Sequence, residues 1–205
     1  MTNSGLAHLQ RSSMTKVDPN LITAFVERWH SETSSFHMPF GEMTITLDDV
    51  SCILHLPIRG IFWTPQHVTE DAVVELAVTY LGVSHREAVT QVRGNRGAYY
   101  KLEWLYDTFV AHRGLNNWAY ATKAYLMMLV GCTIFADKTF TLVEAKYISL
   151  FADLEGVGRY SWGAAALVTL YDSLGDACMF GTKQLAGYPT LLQVIHLLFM
   201  LLLII

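Results

Sequence analysis

Along most of the chain apolar residues recur at three- and four-residue spacings, the period of a helix with one buried face. Asp18-Pro19-Asn20 opens the first such stretch, since proline costs little in a first helical turn, and Leu21, Ile22, Phe25, Val26 and Trp29 form its stripe. Ser31 to Ser35 interrupts it. The period then shortens to two: Met43, Ile45 and Leu47 alternate with Thr44 and Thr46, and Pro39-Phe40-Gly41-Glu42 has turn chemistry. This predicts a short β-hairpin. Thr46-Leu47-Asp48-Asp49 reads as a capping box, opening a helix that carries Val50, Ile53 and Leu54 and stops before Leu56-Pro57, with a turn at Arg59-Gly60.

The remainder reads as helix. Thr69 to Leu81 stops at Gly82, and Ser84-His85-Arg86-Glu87 caps a helix that ends near Arg93. Tyr99 to His112, Asn117 to Gly131, Thr141 to Leu154 and Ser161 to Phe180 complete the series. The fold class is therefore mainly α, a multi-helix globular domain with one short N-terminal β-hairpin. No low-complexity tract and no repeat with a period of 20 to 50 residues breaks it up. Residues 1–19 form a polar N-terminal segment without the pattern of a signal peptide, residues 20–190 the domain, and residues 191–205 a hydrophobic tail.

That tail, Leu191 to Ile205, has only Gln193 and His196 as polar residues. It carries roughly two-thirds of the positive hydropathy of the chain. A span needs about 20 helical residues, and counting from Tyr188 gives 18, the low edge of the range. A single C-terminal transmembrane helix, making a tail-anchored membrane protein, is the alternative to a buried core helix.

Composition narrows the function. Hydrophobic residues make up 52% and charged residues 16%, which excludes disorder for most of the chain. The net charge of −4 provides no global field toward nucleic acid or anionic lipid. Cys52, Cys132 and Cys178 lack a CxxC pair and fit a reducing compartment rather than a disulfide or zinc framework. None of the eight histidines has a histidine partner at i+3 or i+4, and His30 and His37 meet only if tertiary structure brings them together. Gly156-Val157-Gly158 lacks the third glycine of a dinucleotide loop, Ser161 reads as a helix N-cap, and Asp49 of the Asp48-Asp49 pair is engaged in capping. No catalytic, cofactor or metal residue is assigned, and no enzyme is expected. The one concentration of basic residues is Arg86, Arg93, Arg96 and Lys101, interleaved with Tyr99 and Tyr100. Arginine with aromatics can hold phosphate and stack a base, but four cations diluted by Glu87 and Glu103 make a thin nucleic-acid footprint.

Several stretches together resemble a known family. They are Leu21 to Trp29, Glu32-Thr33, Phe36 to Pro39, Gly41 to Val50 and Leu54 to Gly60, then Ala124 to Gly131 with Phe135-Ala136-Asp137, Ser161 to Ala164 with Leu170-Tyr171, and Lys183 to Gln193. They are similar to the plant mobile domain, also called aminotransferase-like plant mobile domain, of the MAINTENANCE OF MERISTEMS and MAIN-like family. The resemblance implies a mainly helical domain shared between transposons and host genes derived from them. It implies a nuclear, non-enzymatic role in meristem maintenance, genome integrity and transposable-element silencing, through silencing or chromatin factors as protein partners. No catalytic set goes with the family, and the lysine in a phosphate-binding α/β scaffold that a pyridoxal enzyme needs is not seen. Some members are fused to a phosphatase domain that this chain lacks. Family members continue past Leu192-Gln193 with a Trp-rich helix, so this sequence is expected to be a form truncated at the C-terminus, whose long helices would lack part of their packing.

Overall fold

The computed structural model describes residues 4–11, 18–64, 68–95, 98–180 and 185–194. Helix α1 (Pro19–Val26) starts as the sequence predicts, with the Asn20 amide donating to Asp18 Oδ1 at 2.9 Å. It ends earlier than its apolar stripe: Trp29 leaves the helix and opens strand β1 (Trp29–His30). Both geometries turn Trp29 inward, and the strand does so by pairing it with Phe36 of β2 (Ser35–Met38). The expected hairpin is β2 with β3 (Gly41–Met43), turning at Pro39-Phe40, and β1 adds a third antiparallel strand beside β2. Thr44 and Ile45 leave the ladder and deliver Thr46 to the N-cap of α2 (Leu47–Leu54). The capping box is complete: the Asp49 amide donates to Thr46 Oγ1 at 3.2 Å and the Thr46 amide to Asp49 Oδ2 at 2.8 Å.

Helices α3 (Glu70–Leu81) and α4 (His85–Arg93) follow, capped by Thr69 and Ser84, with Gly82 left-handed between them at φ 65°. Two predicted helices differ from expectation. Tyr99 to Lys101 is strand β4, and α5 (Leu102–Gly114) begins only after it. Thr141 to Leu154 is not an α-helix but strand β5 (Leu142–Glu144) and a 3₁₀ segment, Ala145–Phe151. The cause is long-range: β4 and β5 pair antiparallel, Tyr100 opposite Val143, across some forty residues that local periodicity does not see. Helices α6 (Trp118–Gly131) and α7 (Trp162–Phe180) match the sequence reading. Ser161 stands just before α7 and its carbonyl accepts from the Ala165 amide at 3.1 Å, but its hydroxyl makes no capping bond.

Helix α5 packs along α6, α3 lies against α4, α6 and the 3₁₀ segment, and α7 packs against α1, α2 and β1. The core between them is mostly aliphatic, with large aromatic side chains set into it. Trp162 is buried against Phe151, with its indole N–H donating to Val157 O at 3.0 Å, and buried Tyr100 donates to Val73 O at 2.7 Å. The segment after α2 crosses to α7. Ile61 N donates to Arg159 O at 2.8 Å, Ser161 N to Ile61 O at 3.0 Å and Gly163 N to Pro57 O at 2.9 Å. Ile61 and Tyr160 form a parallel bridge there, and Gly60 enters it at φ 136°.

The two ends differ from expectation. The segment read as polar already holds a 3₁₀ turn, Ala7–Arg11, and Leu6 and Leu9 are buried in the core, so ordered structure begins before Asp18. At the other end Leu191 and Leu192 are fully buried, the first two residues of the hydrophobic tail. Among the described residues no helix is long and apolar enough to cross a membrane, and residues 195–205 of the tail lie outside the described residues. The tail-anchored alternative falls on residues that lie mostly outside those described.

Candidate functional site

Between α7, the loop after α6, the β4–β5 pair and the loop after α2 runs an open cleft of about 630 Å³. One face of α7 forms its length. Ser161, Ala165, Val168, Thr169, Asp172 and Asp176 recur at helical spacing along that face. From Ser161 to Asp176 this is about 22 Å at the helical rise of about 1.5 Å per residue. The small side chains Ala164 and Ala165 keep the floor low, and Val168 is exposed.

The opposite wall is aromatic. Tyr147, from the 3₁₀ segment, stacks flat on Phe135 with ring centroids 3.9 Å apart, and Trp63 leans on Tyr147 at 5.3 Å. Phe62, next to Trp63 in the loop that the Ile61–Tyr160 bridge holds, is 72% exposed at the rim. An exposed phenyl ring beside an aromatic wall is the kind of surface that marks binding rather than packing.

Most polar groups in the cleft are already committed. Asp137 accepts the amides of Thr139, Thr141 and Leu142 at 2.9 to 3.1 Å, together with the Thr139 hydroxyl, and so pins the turn that leads into β5. Burial works to raise its pKa, but those hydrogen bonds outweigh it and hold the carboxyl below its ordinary value. Lys146 pairs with Glu144 at 2.6 Å and lies 5.0 Å from the Tyr147 ring centre. Burial, with Glu144 and Asp137 beyond it, raises the Tyr99 hydroxyl above its ordinary pKa. Tyr147 is pushed up by burial first, then by Glu144, Tyr99 and Asp172. Both phenols are therefore neutral donors at physiological pH.

Three groups are left over. Asp172 and Asp176 lie one turn apart on α7, both exposed, and neither makes a hydrogen bond or ion pair with another described residue. Ser161 is 3% exposed, and its buried Oγ has no hydrogen-bond partner among the described residues. A buried hydroxyl without a partner carries a cost of about 1–3 kcal/mol. Lys138 adds one cation to the lining. No histidine or cysteine lines the cleft, and no group of three His, Cys, Asp or Glu among the described residues is placed to hold a metal.

The basic residues singled out in the sequence lie elsewhere. Arg86 and Arg93 are exposed two turns apart on one face of α4, and Lys101 is exposed at the end of β4, which packs on α4. Arg96 lies outside the described residues. The neighbouring aromatics are not placed for base stacking: Tyr100 is wholly buried, and Tyr99 faces the cleft. Beside the arginines, Glu87 accepts the Trp104 indole N–H at 3.0 Å. His30 and His37 do meet, with ring centroids 5.9 Å apart on the outer face of the three-stranded sheet.

Sequence reasoning missed the cleft, though its parts were in view. Phe135-Ala136-Asp137 and Ser161 to Ala164 are two of the stretches that carried the family resemblance, and here they face each other. The Asp172/Asp176 spacing on an otherwise small and apolar helix face was the signal available.

Comparison with known proteins places this geometry in context. The plant mobile domain family matches residues 5–197. Protein MAIN-LIKE 1 of Arabidopsis thaliana is 38% identical over 193 residues, which is 93% of this chain and 37% of that protein. Protein MAIN-LIKE 2 of the same plant is 38% identical over 93% of this chain and 28% of its own length. Protein MAINTENANCE OF MERISTEMS, also from Arabidopsis thaliana, is 38% identical over 85% of this chain and 36% of its own length. The chain thus spans about a third of these curated relatives. No solved structure matches it.

Proposed function

The chain belongs to the plant mobile domain family, and on that premise we propose that it is a non-enzymatic nuclear plant protein. It acts in meristem maintenance, genome integrity and the silencing of transposable elements by engaging protein partners. The observation that carries this is the 38% identity to Protein MAINTENANCE OF MERISTEMS across 85% of the chain. The chemistry of the cleft supports a binding role over a catalytic one. Asp137 and Glu144 are spent on structure, Ser161 has no base beside it, and what remains free is recognition chemistry: two carboxylates, a hydroxyl and exposed rings. Arg86 and Arg93 present a second, smaller basic surface for contact with nucleic acid.

The test is a plant line lacking the gene, complemented with the fluorescently tagged chain. The expected result is tagged protein in meristem nuclei, with transposon transcripts elevated without the gene and restored to low levels by the tagged copy. Tagged protein outside the nucleus, with transposon transcripts and meristem organisation unchanged by loss of the gene, would refute the proposal.

A further inference from the structure

We propose that a second groove, along one face of α3, binds a proline-rich segment of a partner protein in its polyproline II form, with a basic residue of that segment set against Glu75. This rests on the reading of the chain as a partner-binding protein and names the chemistry of one partner.

The groove has a volume of about 850 Å³ and shares only Trp63 and Lys146 with the cleft along α7. Thr69, Ala72, Leu76 and Tyr80 recur along its α3 side at helical spacing. From Thr69 to Tyr80 this is about 16 Å at about 1.5 Å per residue, the length of about five residues of polyproline II at about 3.1 Å each. The other side is the 3₁₀ segment, which packs on α3, together with the crossing where Ile61 bridges Tyr160. That bridge brings Trp63 and Tyr160 to the groove from two separate stretches, and Tyr80 adds a third ring from α3.

Hydrogen-bonding capacity selects the backbone form. Trp63, Tyr80 and Tyr160 are half-buried. The indole N–H and both phenol hydroxyls have no hydrogen-bond partner among the described residues, yet unlike Ser161 Oγ they are not sealed from solvent. A polyproline II segment is the complement of such a lining: its carbonyls have no internal partners, proline has no N–H to satisfy, and the pyrrolidine ring packs on aromatic faces. A helix brings carbonyls that are already bonded and leaves these donors unpaired. An added strand needs a free ladder edge, and among the described residues no strand lines the groove.

Charge selects the flanking residue. Glu75 and Lys146 are the charged side chains among the described residues of the lining. Lys146 pairs with Glu144 at 2.6 Å, whereas Glu75 is 68% exposed and has only the equally exposed His85 ring, at 3.9 Å. The unspent charge of the groove is one carboxylate, which an arginine or lysine beside the prolines complements. Lys123 lies 5.1 Å from the centre of the Tyr80 ring but does not line the groove.

The experiment is a fluorescence-polarisation titration of the full chain with a short labelled peptide of paired prolines spaced by alanines, ending in arginine. Versions with alanine for every proline, and with neutral citrulline or glutamate for the arginine, run alongside. The expected order is arginine, then citrulline, then glutamate, with no binding of the alanine version, and the advantage of arginine should shrink as salt rises. Trp63→Phe and Tyr160→Phe keep a ring but delete a donor, so each should weaken the proline peptide roughly fivefold, one hydrogen bond's worth. Glu75→Gln should abolish the difference between the arginine and citrulline peptides. Far-ultraviolet circular dichroism checks that each variant is folded. No binding of the proline peptide up to about 1 mM, equal binding of the proline and alanine peptides or of the arginine and glutamate peptides, or binding untouched by both Trp63→Phe and Tyr160→Phe in folded chains, overturns the proposal. Failure here with transposon transcripts still dependent on the gene removes only the proline-rich partner. Unchanged transcripts remove the functional reading on which it rests.

Discussion

Replacing Gly60 by alanine tests how the aromatic rim of the cleft is held. Gly60 has φ 136°, a backbone region that residues with a side chain rarely adopt, and its Cβ would press into the main-chain carbonyl oxygen of Arg159 and lie 3.2 Å from Ser161 N. Neither obstacle is a flexible side chain. The conformational strain alone costs about 1–3 kcal/mol. Relief requires moving the loop away from residues 159–161, which loosens the Ile61–Arg159 and Ser161–Ile61 hydrogen bonds, worth about 1 kcal/mol each. Together these give a loss of about 3–5 kcal/mol, a large share of the roughly 5–15 kcal/mol that holds a native protein together. At about 2–4 °C per kcal/mol for a chain of this size, the melting temperature should fall by roughly 10 °C. Urea and thermal unfolding followed by circular dichroism measure it. Gly175→Ala is the control: it lies within α7 with nothing within 4 Å of its Cβ, so the methyl should raise stability by about 1 kcal/mol. A Gly60→Ala chain within about 1 kcal/mol of the parent, with an unchanged urea slope, would show that the crossing at Ile61–Tyr160 does not hold the loop.

Three further outcomes follow from the same structure. Gly41 has φ 133° but open space around its Cβ, so Gly41→Val should cost only the backbone strain, about 1–3 kcal/mol in urea, and a chain of parental stability would remove the turn assignment. Thr46→Ala deletes one side of the capping box of α2 and should cost about 1 kcal/mol, read from the urea midpoint; no change would mean that Asp49 alone secures that end. Asp137 has a lower pKa folded than unfolded, because the donated hydrogen bonds outweigh burial, so its contribution is present above about pH 4 and is lost as pH falls through the folded value. Urea midpoints measured from pH 6 down to pH 3 should therefore fall less steeply for Asp137→Ala than for the parent, and parallel curves would contradict the assignment.

How legible was this structure? Helices with strong local signals were visible: the Asp18-Pro19 start, the Thr46–Asp49 box, the Gly82 stop and the long apolar α6 and α7 all lie within a residue or two of their predicted places. What was hidden depends on partners far along the chain. Trp29 keeps a helical spacing but is drawn into a strand by Phe36, and Tyr99 to Lys101 becomes a strand only because Leu142 to Glu144 lies beside it. The candidate site was hidden for the same reason. Its walls come from residues near 62, 99, 137, 147 and 172, none of which carries a chemical motif alone. The basic cluster, by contrast, was legible as charge but not as a site, because nothing in the spacing of Tyr100 reveals that its ring belongs to the core.

The bridge between Ile61 and Tyr160 joins two stretches that leave the ribosome at different times. At about 5–20 residues per second, the hundred or so intervening residues take roughly 5–20 s to synthesise. Throughout that interval Phe62 and Trp63 have no α7 to close upon, and Trp29 waits for Tyr171, its aromatic neighbour 5.0 Å away in the finished fold. The nascent chain therefore exposes the rings that later line the cleft before any cleft exists. A chaperone that reads exposed aromatics has its opportunity before α7 emerges.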